Sequence, residues 1–308
     1  MKKSIVVVGS SNTDMVIKAD HLPSAGETII GGTFFMNPGG KGANQAVAAA
    51  RLGGNVTFIA KIGDDIFGRH SVQMFEEQKI DVSYILSDPE HPSGVALITV
   101  DKNAENCIVV ASGSNASLSQ NDLVAAIPAI EKADVLLVQL EIPLTTVEYV
   151  VAIAAKAGVR VILNPAPACQ LPDSLLRNVS IITPNRREAE MISGIKVTNL
   201  ETAKQAAQII KDRGVETVII TLGTEGALIL SDGNFNEVPA FPVNAADTTA
   251  AGDVFNGALS VAISEGYNLP DATEFACRAA AISVTRLGAQ SSAPNRSEVE
   301  SFIRVAVS

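Results

Sequence analysis

The sequence predicts an α/β fold: a doubly wound, mostly parallel sheet flanked by helices, with a small β-sheet lid formed by two insertions in the N-terminal half. Three observations carry this. From Ala133 onward, short aliphatic runs alternate with stretches of helical period, the pattern of βα units in a parallel sheet. The opening run Ser4–Gly9 is continuously apolar and β-branched, as in a strand buried on both faces. Two stretches, about 13–38 and 93–111, carry short apolar alternations with no helix beside them to cover them. Residues 1–308 are thus read as a single domain with two lid insertions within it.

Ser4–Gly9 is the first strand, broken at Gly9-Ser10-Ser11-Asn12. From Thr13 to Phe35 the pieces Met15-Val16-Ile17, Thr28-Ile29-Ile30 and Thr33-Phe34-Phe35 are punctuated by Pro23, Gly26 and Gly31-Gly32, a hairpin-like pattern. Gly39–Asn44 reads as a glycine loop running into a helix over Ala43–Leu52. Val56–Ile62 is a strand and Phe67–Gln78 a helix. Gly94–Val100 and Asn106–Val110 form a second hairpin about a turn at Asp101-Lys102-Asn103-Ala104. The regular part then has strands at Val135–Gln139, Val159–Leu163, Ile181–Thr183, Thr217–Thr221 and Ala227–Leu230. Its helices are Leu144–Ala157, Glu188–Ile192, Leu200–Arg213, Val254–Glu265 and Asp271–Leu287. The two insertions should join as one small sheet. A sheet with one uncovered face lies over a ligand, a second subunit or both.

Composition excludes several classes. The formal net charge of −10, with no basic run longer than Lys2-Lys3 or Arg186-Arg187, argues against nucleic acid. Cys107, Cys169 and Cys277 are far apart and lack CxxC spacing, which points to a reducing compartment and away from disulfides or zinc. His21, His70 and His91 make no ligand motif. Lys2-Lys3 before Ile5–Val8 imitates a signal peptide, but the apolar run is too short. No other run approaches transmembrane length. The expectation is a cytoplasmic chain with no membrane partner.

The chemistry is sought first at Asp247-Thr248-Thr249-Ala250-Ala251-Gly252-Asp253, a small-residue loop before a helix. A helix start presents unpaired N–H groups and partial positive charge. Ala250, Ala251 and Gly252 let an anion approach them, making an anion hole suited to phosphate. A carboxylate there would be repelled unless it had a task. The task assigned to Asp253 is general base, taking a proton from a hydroxyl that attacks a phosphoryl group. The plainer alternative is that Asp253 only caps the helix, which Asp does well.

Further polar residues fall at the ends of strands, where doubly wound sheets bind ligands. These are Asn12 and Asp14, Glu141, Asn185 and Glu188, and Gly223–Gly226. Any one could be a turn residue or a cap; their shared placement argues for a site. In Gly39-Gly40-Lys41-Gly42-Ala43-Asn44 the glycines allow close backbone approach, and Lys41 and Asn44 offer donors to hydroxyls. Neither a Gly-x-Gly-x-x-Gly after the first strand nor a P-loop is present, which disfavours a dinucleotide-dependent oxidoreductase.

Gly39–Ala46, with Gly53 and Gly63 downstream, resembles the N-terminal signature of the PfkB-type carbohydrate kinases, and Asp247–Ala258 resembles their C-terminal one. The resemblance covers essentially the whole chain. Gly9–Asp14, Gln139-Leu140-Glu141, Asn164–Ala168, Thr183-Pro184-Asn185 and Arg286–Gln290 are most similar to the members that act on ribose. It implies ATP-dependent phosphorylation of D-ribose at its 5-hydroxyl. Asn12, Asp14, Gly40, Lys41, Asn44 and Glu141 would hold the sugar, with Asp253 as base. Thr221, Gly223, Thr224 and Gly226 would meet ATP with Gly252 and Cys277. Asn185 and Glu188 match an Asn-x-x-Glu element associated with Mg²⁺ and phosphate, Glu188 acting largely through water. Asp247, Thr249, Ser283, Arg286, Gly288 and Ser292 fall where such enzymes bind K⁺, several through backbone carbonyls. The lid would also pair two subunits into a homodimer.

Two positions depart from the family pattern. By the resemblance Cys277 falls near the expected adenine pocket, where His or Asn is usual, and Arg186-Arg187 makes the Asn-x-x-Glu element more basic. The rival readings are a kinase of the family acting on deoxyribose, a nucleoside or fructose, and a non-catalytic sugar-binding regulator. Retention of Asp253 with its whole loop argues against the second.

Overall fold

The computed structural model describes residues 3–103 and 105–302. Lys2 and Ala104, the last residue of the expected turn at Asp101, lie outside the described residues. In chain order the elements are β1 (Ser4–Val8), β2 (Asn12–Lys18), β3 (Thr33–Gly39), α1 (Lys41–Arg51), β4 (Asn55–Gly63), α2 (Ile66–Glu77), β5 (Asp81–Asp88), β6 (Gly94–Val100) and β7 (Asn106–Ala111). Next come α3 (Ile127–Glu131), β8 (Val135–Val138), α4 (Leu144–Lys156), β9 (Arg160–Leu163), α5 (Asp173–Leu176), β10 (Ile181–Ile182), α6 (Arg186–Ser193), α7 (Leu200–Asp212) and β11 (Thr217–Thr221). The chain closes with β12 (Ala227–Ser231), β13 (Asn234–Val238), α8 (Ala251–Ser264), α9 (Leu269–Ser283) and α10 (Arg296–Ser301).

The main sheet has nine strands in the order β13-β12-β11-β10-β9-β8-β1-β4-β5. All neighbours from β11 to β5 are parallel, and β12 and β13 are an antiparallel edge. β1 divides its side chains between two cores. Val6 and Val8 face a core shared with α4, α6 and α7, and Ile5 and Val7 face one shared with α1, α8 and α9. All four are fully buried, each contributing about 1.5–3 kcal/mol of apolar transfer. That is why the run is continuous rather than alternating.

The second sheet has four strands in the order β3-β2-β6-β7. β2 pairs antiparallel with β3 and parallel with β6, so the two excursions join along the pairs from Asn12↔Gly94 to Lys18↔Val100. One face carries Ile17, Phe34, Met36, Leu97 and Val109, all exposed. Val16 and Ala96, on the other face, are buried.

Several details differ from the sequence expectation. Thr28-Ile29-Ile30 forms no strand. The expected loop Gly39–Asn44 shrinks to Gly40, because β3 runs to Gly39 and α1 starts at Lys41. α8 begins at Ala251, three residues before Val254, and α9 ends at Ser283, short of Leu287. β5 and β13 escaped notice because both are edge strands with polar residues, Asp81, Ser83, Asn234, Asn236 and Glu237, breaking the apolar signal. In the turn before β13, Asp232 and Gly233 both have positive φ (50° and 76°), as a two-residue hairpin turn requires.

Candidate active site

After β1 the chain adds β4 on one side, and β8 then returns to the other. Strand order reverses there, and a crevice opens beyond the C-terminal strand ends. Ser10 and Asn12 follow β1, Glu141 follows β8, Asn164 follows β9, Asn185 follows β10, and Thr221 ends β11. A cavity of about 170 Å³ lies at this edge, lined by Lys41, Asn164, Asn185, Glu188, Thr221 and the loop Ala250–Asp253, among others.

The loop meets α8 at Ala250, the N-cap, whose φ of 58° is left-handed. A non-glycine residue there stores about 1–2 kcal/mol of strain, and such strain gathers at functional sites. Asp253 is the third residue of the helix and 5% exposed. Its carboxylate does not cap the helix, so the plainer alternative fails. Oδ2 accepts from Asn44 Nδ2 at 2.9 Å and Oδ1 from Gln45 Nε2 at 2.9 Å. Burial pushes its pKa up, and the Lys41 ammonium with the Gln45 and Asn44 amides pulls it back. α1 can bring these amides so close because Gly257 of α8 is bare. A Cβ there would lie 2.7 Å from Ala48 Cβ and 2.8 Å from the Gln45 carbonyl.

Around the base sit the other charges. Burial, then Glu141 and Asp253, push the Asp14 pKa up to about 6, against the pull of Lys41. For Lys41 burial pulls down, but Asp253, Glu141, Glu188 and Asp14 outweigh it and hold the ammonium above its ordinary value. Glu141 Oε2 accepts from Ser10 Oγ at 2.6 Å and from the Lys41 N–H at 3.0 Å. Gly40, with φ of 87°, packs so tightly that a Cβ would lie 2.7 Å from the Asn12 nitrogen. Asn12 Oδ1 accepts from Asn115 Nδ2 at 2.8 Å. The expected sugar residues Asn12, Asp14, Gly40, Lys41, Asn44 and Glu141 therefore meet at one place beside Asp253. Asn44 Oδ1 is buried without a partner.

On the opposite side Asn185 and Glu188 are the ends of a capping box. Glu188 N donates to Asn185 Oδ1, while Glu188 Oε2 accepts from Asn185 N and Oε1 from Asn185 Nδ2. Burial raises the Glu188 pKa. Both oxygens keep lone pairs, which suits a water-mediated approach to a cation. Among the described residues no three His, Cys, Asp or Glu cluster as a metal site. A divalent ion here would thus draw most ligands from phosphate and water. Thr221 bridges to Asn185, and the turn through Gly223, Thr224 and Gly226 follows it. Arg186 pairs with Glu225 of that turn at 2.6 Å. Cys277, on α9, lines no part of the cavity.

Asp247 ties two loops together, its Oδ1 accepting from Thr249 N and its Oδ2 from Gly288 N, both at 2.9 Å. Those bonds outweigh burial and hold its pKa below the usual value. The Ser283 and Ser292 hydroxyls donate to the carbonyls of Ala280 and Ala289, and Arg286 pairs with Glu298. A cation at this place would draw on backbone carbonyls beside the Asp247 carboxylate, whose oxygens keep lone pairs.

Sequence reasoning missed Ser10, Gln45 and Asn115. Gln45 had a faint signal, as a lone long amide in the alanine- and valine-rich stretch Ala43–Ala50. Ser10 and Asn115 had none, because their partners are 131 and 104 residues away.

Residues 2–296 match the pfkB family carbohydrate kinase. A protein of Haemophilus influenzae named ribokinase is 46% identical, covering 98% of this chain and 99% of its own. One of Salmonella typhi named deoxyribokinase is 36% identical over 97% and 98%. The solved structure of Arabidopsis thaliana ribokinase complexed with ribose and ATP superposes with a TM-score of 0.91 at 31% identity, covering 97% of this chain and 98% of that one.

Proposed function

The chain belongs to the pfkB family of carbohydrate kinases, and from that premise we propose that it transfers the γ-phosphoryl group of ATP to the 5-hydroxyl of D-ribose. The observation that carries this is Asp253, a buried carboxylate gripped on both oxygens and set in the first turn of α8 beside an anion-binding loop. Asp253 takes the 5-hydroxyl proton as that oxygen forms its bond to the γ-phosphorus. The bond to the bridging oxygen breaks, and ADP leaves with its electron pair. The loop Ala250, Ala251 and Gly252 at the helix start forms the anion hole that stabilises the charge developing on the transferred group.

Ribose lies between Asn12, Asp14, Gly40, Lys41, Asn44 and Glu141, with the unpaired Asn44 Oδ1 ready to accept from a sugar hydroxyl. ATP lies along Asn185, Glu188, Thr221, Gly223, Thr224, Gly226 and Gly252, with adenine toward Cys277. Glu188, largely through water, and the phosphates would hold Mg²⁺, which would neutralise phosphate charge. Asp247, Thr249, Ser283, Arg286, Gly288 and Ser292 would hold K⁺, several of them through backbone carbonyls. The four-stranded sheet is a lid over the sugar, in a single kinase domain with insertions at about 13–38 and 93–111. Two copies pair through its apolar outer face, which would otherwise leave Leu97, Phe34 and Val109 in water. A cytoplasmic location fits the use of ATP and three free thiols. No described helix is long and apolar enough to cross a membrane.

A second reading keeps the chemistry and changes the sugar to 2-deoxyribose, favoured by the 36% identity to the Salmonella typhi deoxyribokinase. The test is ADP release with D-ribose, 2-deoxy-D-ribose, fructose and adenosine, with Mg²⁺ and with K⁺ or Na⁺ as the only monovalent ion. Fast turnover with ribose alone, faster in K⁺, supports the first reading, and preference for deoxyribose supports the second. ATP binding without turnover on any of them would sink both.

A further inference from the structure

Beneath the base runs a chain of buried amides. Gln45, fully buried on α1, donates from Nε2 both to Asp253 Oδ1 at 2.9 Å and to Asn164 Oδ1 at 3.0 Å. Its Oε1 accepts from Gln139 Nε2 at 2.5 Å. Asn164 Nδ2 donates to the Thr183 carbonyl at 3.4 Å, and the Thr183 hydroxyl donates to Asn256 Oδ1 at 2.6 Å. Asn256 Nδ2 then donates to the Gly252 carbonyl at 2.8 Å. The chain thus starts at the carboxylate and ends on the anion-binding loop one residue before it.

Its direction is fixed from one end. An ionised carboxylate only accepts, so Gln45 must present Nε2 to Asp253. Its Oε1 must then face Gln139, which must donate. Asn164, receiving from Gln45, must turn its own donor to Thr183. Gln139, donating at one end, keeps its own Oε1 buried without a partner, and reversing Gln45, Asn164 or Asn256 would set donor against donor or acceptor against acceptor.

Resting on the kinase reading above, we infer that Gln45 is a positioning residue for the base. It fixes one oxygen of Asp253 and, through Asn164, Thr183 and Asn256, locks base and anion-binding loop into a single geometry. Asn44 holds the other oxygen but has a second task on the sugar side, whereas Gln45 is sealed from the cavity side by the base itself. The charged groups facing Asp253 are Lys41 of α1, Asp14 of β2, Glu141 after β8 and Glu188 of α6. They are shared by every variant below, so differences among variants report the amides.

The test follows two readouts in wild type, Gln45→Leu and Gln139→Leu. One is the pH dependence of kcat and KM with the sugar the wild type uses. The other is the ¹³C titration of the Asp253 carboxyl in the free protein, which needs no turnover. For Gln45→Leu the expected result is kcat down on the order of 10–100-fold with KM for the sugar within about threefold. Its acidic limb and its carboxyl titration should both move up by about one pH unit, since a donor to the charged form is gone. Gln139→Leu leaves the Gln45–Asp253 bond in place and should move both the same way by a smaller amount. An unmoved carboxyl in folded Gln45→Leu overturns the inference. Should that variant not fold, an unmoved carboxyl in Gln139→Leu does so. An inert wild type with a shifted carboxyl would instead sink the kinase reading and leave the positioning role standing.

Discussion

β1 and β7 are built from the same kind of residue and meet opposite fates. Ile5-Val6-Val7-Val8 has no exposure, whereas Cys107, Ile108, Val109 and Val110 are all exposed. The difference lies in what covers them. β1 sits mid-sheet between two helical layers, and β7 is the edge of a sheet with no helix on it. Apolar strands are thus used in two ways, as a floor beneath α8, which carries Asp253, and as a cover that brings Asn12 and Asp14. The floor should resist change through packing. The cover should resist it only where it meets sugar or another copy.

Perturbations of each region test this division. Asp253→Asn, on the floor, is expected to lower kcat on the order of 10²–10⁴-fold and leave sugar affinity nearly intact. Steady-state kinetics with direct binding checks it, and near-normal turnover would break the assignment. Gly257→Ala places a methyl 2.7 Å from Ala48 Cβ. It should cost about 1–3 kcal/mol in urea unfolding through overpacking, and should lower kcat because Asn44 and Gln45 move with α1.

On the cover, Asp14→Asn should raise KM for the sugar about tenfold or more, from the loss of a charged hydrogen bond, with a smaller change in kcat. For the same reason wild-type KM should rise as pH falls through about 6, where Asp14 takes up its proton. The sign for stability is the reverse. The native state holds a proton between pH 4 and 6 that the unfolded chain, at 3.8, has released, so this contribution to stability fades as pH rises through that window. Asp14→Asn should therefore raise the Tm of the sugar-free protein at pH 7 to 8, and a lower Tm would contradict the burial argument. The smallest effect on the fold is expected from Leu97→Lys. At 56% exposure it should change stability by no more than about 0.5 kcal/mol. Sedimentation velocity should nevertheless show weaker self-association, and no change there would leave the outer face without its second copy.

The division also marks what the sequence makes legible. Floor strands such as Ser4–Val8 and Val135–Val138 announce themselves, since burial on both faces demands unbroken apolar runs. Asp247–Asp253 stands out because small residues before a helix have few purposes, and Asp253, Asn44 and Lys41 are close in space as anticipated. Edge strands β5 and β13 were silent because water tolerates polar residues along them. The start of α8 was set three residues late because its first turn is Ala-Gly-Asp, weak in apolar signal. The amides under the base were beyond reach for a different reason. Gln45, Gln139, Asn164 and Asn256 lie on four different elements or their ends, and no spacing relates them.

The parallel pairing of β2 with β6 has a kinetic consequence. Asn12 and Gly94 pair across all of the chain from β3 to β5, and such long-range parallel pairing is slow. The βα units from β8 to β11, neighbours in the chain as well as in the sheet, should collapse first, with the β2–β6 ladder closing afterwards. In pulse-labelling hydrogen exchange, amides that pair β2 with β6 should gain protection after those that pair β8 with β9. During that interval the chain presents unpaired strand edges and an apolar face together, so a nascent copy is most prone to stick to its neighbours just before it is complete.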